Sequence, residues 1–190
     1  MIIGVLKEAV PETRVSLIAE TVTAMVKKGW EVWVEPGAGA TAWQSDESYQ
    51  QAGASLRPRT EILQGAQIIL SIHPPADTPA RGAVLIGMFQ ARQNQDLIDT
   101  WKQAGLQVFS MELLPRTTRA QSMDILSSQA NIAGYKAVLL AANTYGRYFP
   151  MFMTAAGSIP PAKVLILGAG VAGFAAPPPR LRTAIPAALR

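Results

Sequence analysis

Residues 163–173 read KVLILGAGVAG. Val164 to Leu167 have the apolar content of a short buried strand, and the glycines behind them are spaced GxGxxG. Each glycine has a separate physical reason to be there. Gly168 permits a tight exit from the strand, Gly170 lets backbone come close to a pyrophosphate, and Gly173 allows a helix to pack closely on the strand. The helix that opens at this turn offers amide donors and the positive end of its dipole to an anion. Strand, turn and helix together are the start of a Rossmann unit, which makes Gly168, Gly170, Val171 and Gly173 the candidate cofactor-binding positions. The same letters also describe a plain glycine-rich turn, and it is the preceding strand that favours the nucleotide site.

The sequence then changes character. Residues 174–190, FAAPPPRLRTAIPAALR, hold four prolines and no acidic residue. Proline costs ~3 kcal/mol inside a helix, and the acid expected about 20 positions beyond the glycines to hold the ribose hydroxyls is absent. The expectation is a truncated or frame-shifted second domain, and a chain that by itself binds a dinucleotide weakly or not at all.

Upstream, short apolar runs alternate with amphipathic segments, as in a parallel sheet covered by helices. IIGVL (2–6), EVWVE (31–35), IILSI (68–72), AVLIG (83–87) and the run 107–110 read as strands. Helices are expected over 16–29, over 46–52 with Ser45 as cap, and over 93–104. The fold class is therefore α/β, a doubly wound parallel sheet of flavodoxin or Rossmann type, with a long linking helix and the beginning of a second Rossmann domain. Residues 120–145 lack proline and suit a helix of about 39 Å. The run 154–163 reads as a turn-rich linker, and 164–168 as the strand opening the second unit. The expected domains are 1–119, a linking helix and linker at 120–157, and 158–190.

Composition excludes several classes of function. The 190 residues are 49% hydrophobic, enough to bury a full core, and carry a net charge of +4. Asp124 is the last acidic residue, and the six basic residues after it are scattered without interleaved aromatics. That is no nucleic-acid surface. Zero cysteines and the single His73 leave no disulfide framework and no histidine-based metal site. The first ten residues lack the pattern of a signal peptide, and no apolar run approaches the ~20 residues of a membrane helix. A soluble cytoplasmic chain is expected, one that can still dock on a membrane partner.

Two further segments carry chemistry. In PRTTRAQSMDILSSQANIAGYKA (115–137), Gln121, Asp124 and Ser127 follow at i, i+3 spacing, so that on one helix an amide, a carboxylate and a hydroxyl face the same way. Arg116 lies just before them. The stripe either lines a pocket or faces water, and Thr117 or Thr118 with Gln121 resembles a helix cap. In KEAVPETRVSL (7–17), Lys7, Glu8 and Arg14 follow the first strand, where open α/β sheets hold ligands; otherwise they cap and solvate. His73 also follows a strand, with no obvious acid partner in the sequence.

Four segments in order, IGVLKEAVPETRVSL (3–17), EPGAGATAWQSDESYQQAGA (35–54), RAQSMDILSSQANIAGYKAVLLAA (119–142) and FPMFMTAAGSIPPAKVLILGAGVAG (149–173), resemble the alpha subunit of the proton-translocating NAD(P) transhydrogenases. The resemblance implies a two-lobed NAD(H)-binding domain, peripheral to the inner membrane. It would pass hydride to NADP(H) held on a partner domain, coupled to proton movement through membrane-embedded subunits, and would pair as a homodimer. It also implies that Arg116, Gln121, Asp124 and Ser127 lie by the nicotinamide and organise hydride transfer. Alanine dehydrogenases share the KE…ETRV opening, but the substrate lysine expected after strand 68–72 and the histidine expected after strand 83–87 are not found. A non-catalytic remnant and an alanine-dehydrogenase-like oxidoreductase stand as the alternative readings.

Overall fold

The apolar runs become strands of one parallel sheet: β1 (Ile2–Val5), β2 (Glu31–Val34), β3 (Ser55–Leu56), β4 (Ile68–Leu70), β5 (Val84–Gly87) and β6 (Gln107–Ser110). They are hydrogen-bonded in the order β3-β2-β1-β4-β5-β6, every neighbouring pair parallel. Four helices connect them: α1 (Ala19–Lys27), α2 (Asp46–Gln51), α3 (Arg59–Gly65) and α4 (Gln95–Gln103). The computed structural model describes residues 1–115 and 117–175. Its contacts divide it into two units, Met1–Thr117 and Thr118–Arg190, and this sheet is the first.

Alternation along the strands supplies both faces of the sheet with core residues. Val5, Val32 and Val34 pack on one side with Leu17, Val22, Tyr49 and Ala54. Leu6, Ile69 and Leu85 pack on the other with Ile62, Leu63, Phe89 and Trp101. Each large side chain so buried stabilises by about 1.5–3 kcal/mol relative to exposure. The one hydroxyl in the first cluster is satisfied, because Tyr49 Oη donates to the Leu17 carbonyl at 2.7 Å. On the other side, the Phe89 and Trp101 rings meet edge to face at 5.2 Å.

The strand order is that of a Rossmann sheet; without the two-residue edge strand β3 it is that of flavodoxin. The chain leaves β1 in one direction and returns to β4 on its other side. The loops leaving β1 and β4 therefore diverge at the carboxyl end of the sheet.

The second unit departs further from expectation. In place of one helix over 120–145, a 3-10 helix spans Thr118–Met123 and α5 runs Ile125–Thr144. The break comes at Asp124, whose carboxylate caps α5 and so starts the helix later. The expected linker 154–163 contains part of an antiparallel hairpin, β7 (Phe152–Thr154) with β8 (Gly157–Ile159), in the register Phe152 to Ile159. Residues 164–168 are not a strand. Among the described residues no neighbour pairs with them, and Leu165 and Leu167 are 70% and 89% exposed. A helix, α6 (Val171–Ala175), follows the glycine turn. No helix among the described residues is long and apolar enough to cross a membrane.

Candidate functional site

Within the second unit, Asp124 and Ser127 form a local pair. Asp124 Oδ1 accepts from the Ser127 amide at 3.0 Å, and Ser127 Oγ donates to Asp124 Oδ2 at 2.6 Å. The first contact satisfies a backbone donor that the start of α5 would leave open. The second commits the serine hydrogen, so the Ser127 oxygen is left to act toward a ligand as an acceptor. The capping residue is thus Asp124, where the sequence offered Thr117 or Thr118 with Gln121. Gln121 lies in the preceding 3-10 helix, exposed, and its carbonyl accepts from the Asp124 amide at 3.3 Å. Arg116 lies outside the described residues.

The glycine turn has three distinct environments. Gly168 has φ +114°, a region that L side chains rarely adopt. Around Gly170 nothing lies within 4 Å of where a Cβ would stand. At Gly173 a Cβ would collide with the Gly168 carbonyl oxygen and would touch Ile166 Cγ2 at 3.5 Å. Gly170 and Val171, with Ala169, Phe174, Ala175 and Asn131 of α5, border an open concavity of about 590 Å³.

Asn131 was not singled out from the sequence. It stands four residues after Ser127, and Gly134 stands seven after, so all three share a face of α5. Gly134 is the buried residue of that helix. The signal was a spacing of i, i+4, i+7 in which the last member is a glycine, which a search for polar stripes passes over.

In the first unit, the loops at the carboxyl end of the sheet are joined by side chains. His73 has an acid partner after all: its Nε2 lies 2.9 Å from Glu12 Oε2, 61 residues away in sequence. Glu12 also accepts Arg14 Nε at 2.9 Å and Nη2 at 2.6 Å. The Arg14 hydrogen bonds outweigh the opposing effect of burial and hold the Glu12 carboxyl well below the usual glutamate range, with His73 adding to the effect. Arg14 is pushed up, chiefly by the same contact. Glu8 accepts from the amides of Ile72 and His73. The Lys7 amide donates to Glu35 Oε2 at 2.8 Å, and Arg59 Nη1 joins the same oxygen at 3.0 Å. Among the described residues, no group of three or more His, Asp or Glu side chains is placed to hold a metal ion.

The profile described as "Alanine dehydrogenase/PNT, N-terminal domain" matches residues 4–133, and that described as "Alanine dehydrogenase/PNT, C-terminal domain" matches 137–179. The chain belongs to the alanine dehydrogenase/PNT family. Within that family it is 44% identical, over 170 residues, to the NAD(P) transhydrogenase subunit alpha of Cereibacter sphaeroides, covering 87% of this chain and 32% of that protein. Its fold superposes on the crystal structure of transhydrogenase from Sinorhizobium meliloti with a TM-score of 0.87 and 44% identity, covering 93% of this chain and 54% of that one. The likeness to an L-alanine dehydrogenase structure is more distant: TM-score 0.77 and 28% identity, covering 93% and 50%. This chain spans between a third and about half of the length of these relatives.

Proposed function

We propose that this chain is the NAD(H)-binding part of a proton-translocating NAD(P) transhydrogenase alpha subunit, working with NADP(H) held on a partner domain. The observation that carries the reading is the glycine turn. Its three glycines divide into one at positive φ, one open to an approaching ligand and one closed against backbone, the division a pyrophosphate-binding turn requires. The higher identity to the transhydrogenase subunit than to the alanine dehydrogenase structure supports the transhydrogenase branch of the family.

On this reading Gly168, Gly170, Val171 and Gly173 hold the pyrophosphate, and the nicotinamide, when bound, supplies the hydride. The residues around it position rather than transfer protons. Asp124 fixes Ser127, whose free acceptor capacity suits the amide hydrogens of a carboxamide. Arg116 pairs with Asp124 to shape the site, and Gln121 positions the second nicotinamide. The chain docks on membrane-embedded and NADP-binding subunits, as a homodimer, on the cytoplasmic face of the membrane.

The test is a fluorescence titration of the chain with NADH, followed by reconstitution with the NADP-binding and membrane subunits of a transhydrogenase. Weak but saturable NADH binding by the chain alone, lost in Gly170→Val, and hydride transfer to an NADP analogue in the reconstituted system, are expected. An intact folded chain that fails both would refute the reading.

A further inference from the structure

The order of strands reverses between β1 and β4, and in an open α/β sheet that reversal is where a ligand crevice opens beyond the carboxyl ends. In this chain the loop leaving β1 turns its own carboxylates toward the end of β4. Glu8 Oε1 accepts from the Ile72 amide at 2.6 Å, and Oε2 accepts from the His73 amide at 3.1 Å. One carboxylate therefore sits across two consecutive backbone amides, an arrangement proteins use to bind phosphate and carboxylate ligands. The same turn is fixed from below by Ser71, 3% exposed, whose Oγ donates to the His73 carbonyl at 2.8 Å. Arg14, held by Glu12, is raised in pKa first by that contact and also by the charge of Glu8. Glu12, holding Arg14 and His73, closes the loop a second time.

We propose that Glu8 is a built-in anion: the crevice at the strand reversal is a small-oxyanion site, of carboxylate or phosphate class, that the chain keeps filled with its own side chain. The first unit accordingly takes no dinucleotide at its switch point. This inference does not depend on what the glycine turn of the second unit binds. It rests on both Glu8 oxygens being used on adjacent amides 64 and 65 residues away, at the position where the topology opens.

The test compares the full chain with Glu8→Ala and Glu8→Gln by thermal unfolding in sodium chloride, sodium acetate and sodium phosphate at equal ionic strength. Wild type is expected to show no saturable rise in midpoint with acetate or phosphate, only the gradual change that excluded salts give any folded chain. Glu8→Ala is expected to fall by about 5–10 °C in chloride, the loss of two charge-assisted bonds, and to recover saturably with acetate or phosphate. A saturable rise of the wild-type midpoint in phosphate or acetate would show the crevice open and overturn the proposal. So would a Glu8→Ala midpoint that is unchanged, or lowered without recovery by either anion. If Glu8→Ala does not fold, amide exchange in Glu8→Gln decides: Ile72 and His73 are expected to exchange roughly tenfold faster, the equivalent of one weakened bond, while the β1 amides keep their protection. Unchanged exchange at both amides would overturn the proposal.

Discussion

The backbone of Ala172, in α6, lies directly on Gly134, in α5. A Cβ built on Gly134 would collide with the Ala172 carbonyl oxygen and stand 3.0 Å from its Cα. The glycine turn of the candidate site is thus seated on the polar-bearing face of α5 by a contact that excludes every side chain at residue 134. Glycine in a helix interior costs about 1 kcal/mol relative to alanine, so its presence mid-helix is explained by the crossing and not by the helix.

Gly134→Ala tests this by sign. Without the contact, the substitution would stabilise α5 by about 1 kcal/mol. With it, overpacking outweighs that gain and destabilises by about 1–3 kcal/mol. The expected result is a lowered thermal midpoint and faster amide exchange at Phe174, whose N–H bonds the Gly170 carbonyl at 3.0 Å. A raised midpoint would remove the crossing from the account.

Gly168→Ala and Gly170→Ala separate conformation from ligand approach. At φ +114° an alanine is strained by about 1–3 kcal/mol, so Gly168→Ala is expected to lower stability whether or not NADH is present. A Cβ at Gly170 meets nothing within 4 Å. Gly170→Ala is therefore expected to leave the unfolding curve in place and to weaken NADH binding at least tenfold. Calorimetry on both variants checks the division.

The capping role of Asp124 predicts which substitutions α5 tolerates. Asn caps about as well as Asp, whereas Ala costs about 1 kcal/mol. Asp124→Asn is expected to keep the Ser127 amide protected from exchange, and Asp124→Ala to expose it. If Ser127 also meets the nicotinamide, both variants lower NADH affinity, because neither holds the Ser127 hydroxyl hydrogen as a carboxylate does.

Much of the first unit could be read from the sequence because its strands are buried on both faces, which leaves uninterrupted apolar runs such as Ile68 to Leu70 and Val84 to Gly87. Ser45 also showed itself as a cap by its place before Asp46, and it does accept from the Ser48 amide, at 3.2 Å. By contrast α3, seven residues behind Pro58, buries only Ile62 and Leu63, too few to set up a period. The hairpin Phe152–Thr154 with Gly157–Ile159 is exposed along both strands and shows no alternation between faces. At Asp124, three-residue polar spacing fits a helix interior and a 3-10 turn ending in a cap equally well, and only hydrogen-bond geometry separates them. The His73–Glu12 contact joins two loops far apart in sequence, which local spacing cannot reveal.

Two groups, the half-buried Glu12 and the buried Tyr49, set opposite limits of pH. The folded-state pKa of Glu12 is depressed by the Arg14 hydrogen bonds, so its contribution is full above the ordinary value of 4.5 and is lost as pH falls toward the depressed folded value. Tyr49 is pushed up to about 12 by burial first and by the charge of Asp46 second. Its contribution is full below 10.0 and is lost as pH rises through about 12. Glu12→Gln is expected to unfold at a lower midpoint than wild type at pH 7, with the gap narrowing as pH drops below 4.5. Tyr49→Phe leaves the Leu17 carbonyl without its donor, at a cost of about 1–3 kcal/mol. Relative to wild type it is expected to lose less stability between pH 10 and 12. Thermal midpoints of the three proteins across the pH range check both limbs, and parallel curves for wild type and Glu12→Gln below pH 4.5 would mean that the Arg14 contact does not hold in solution.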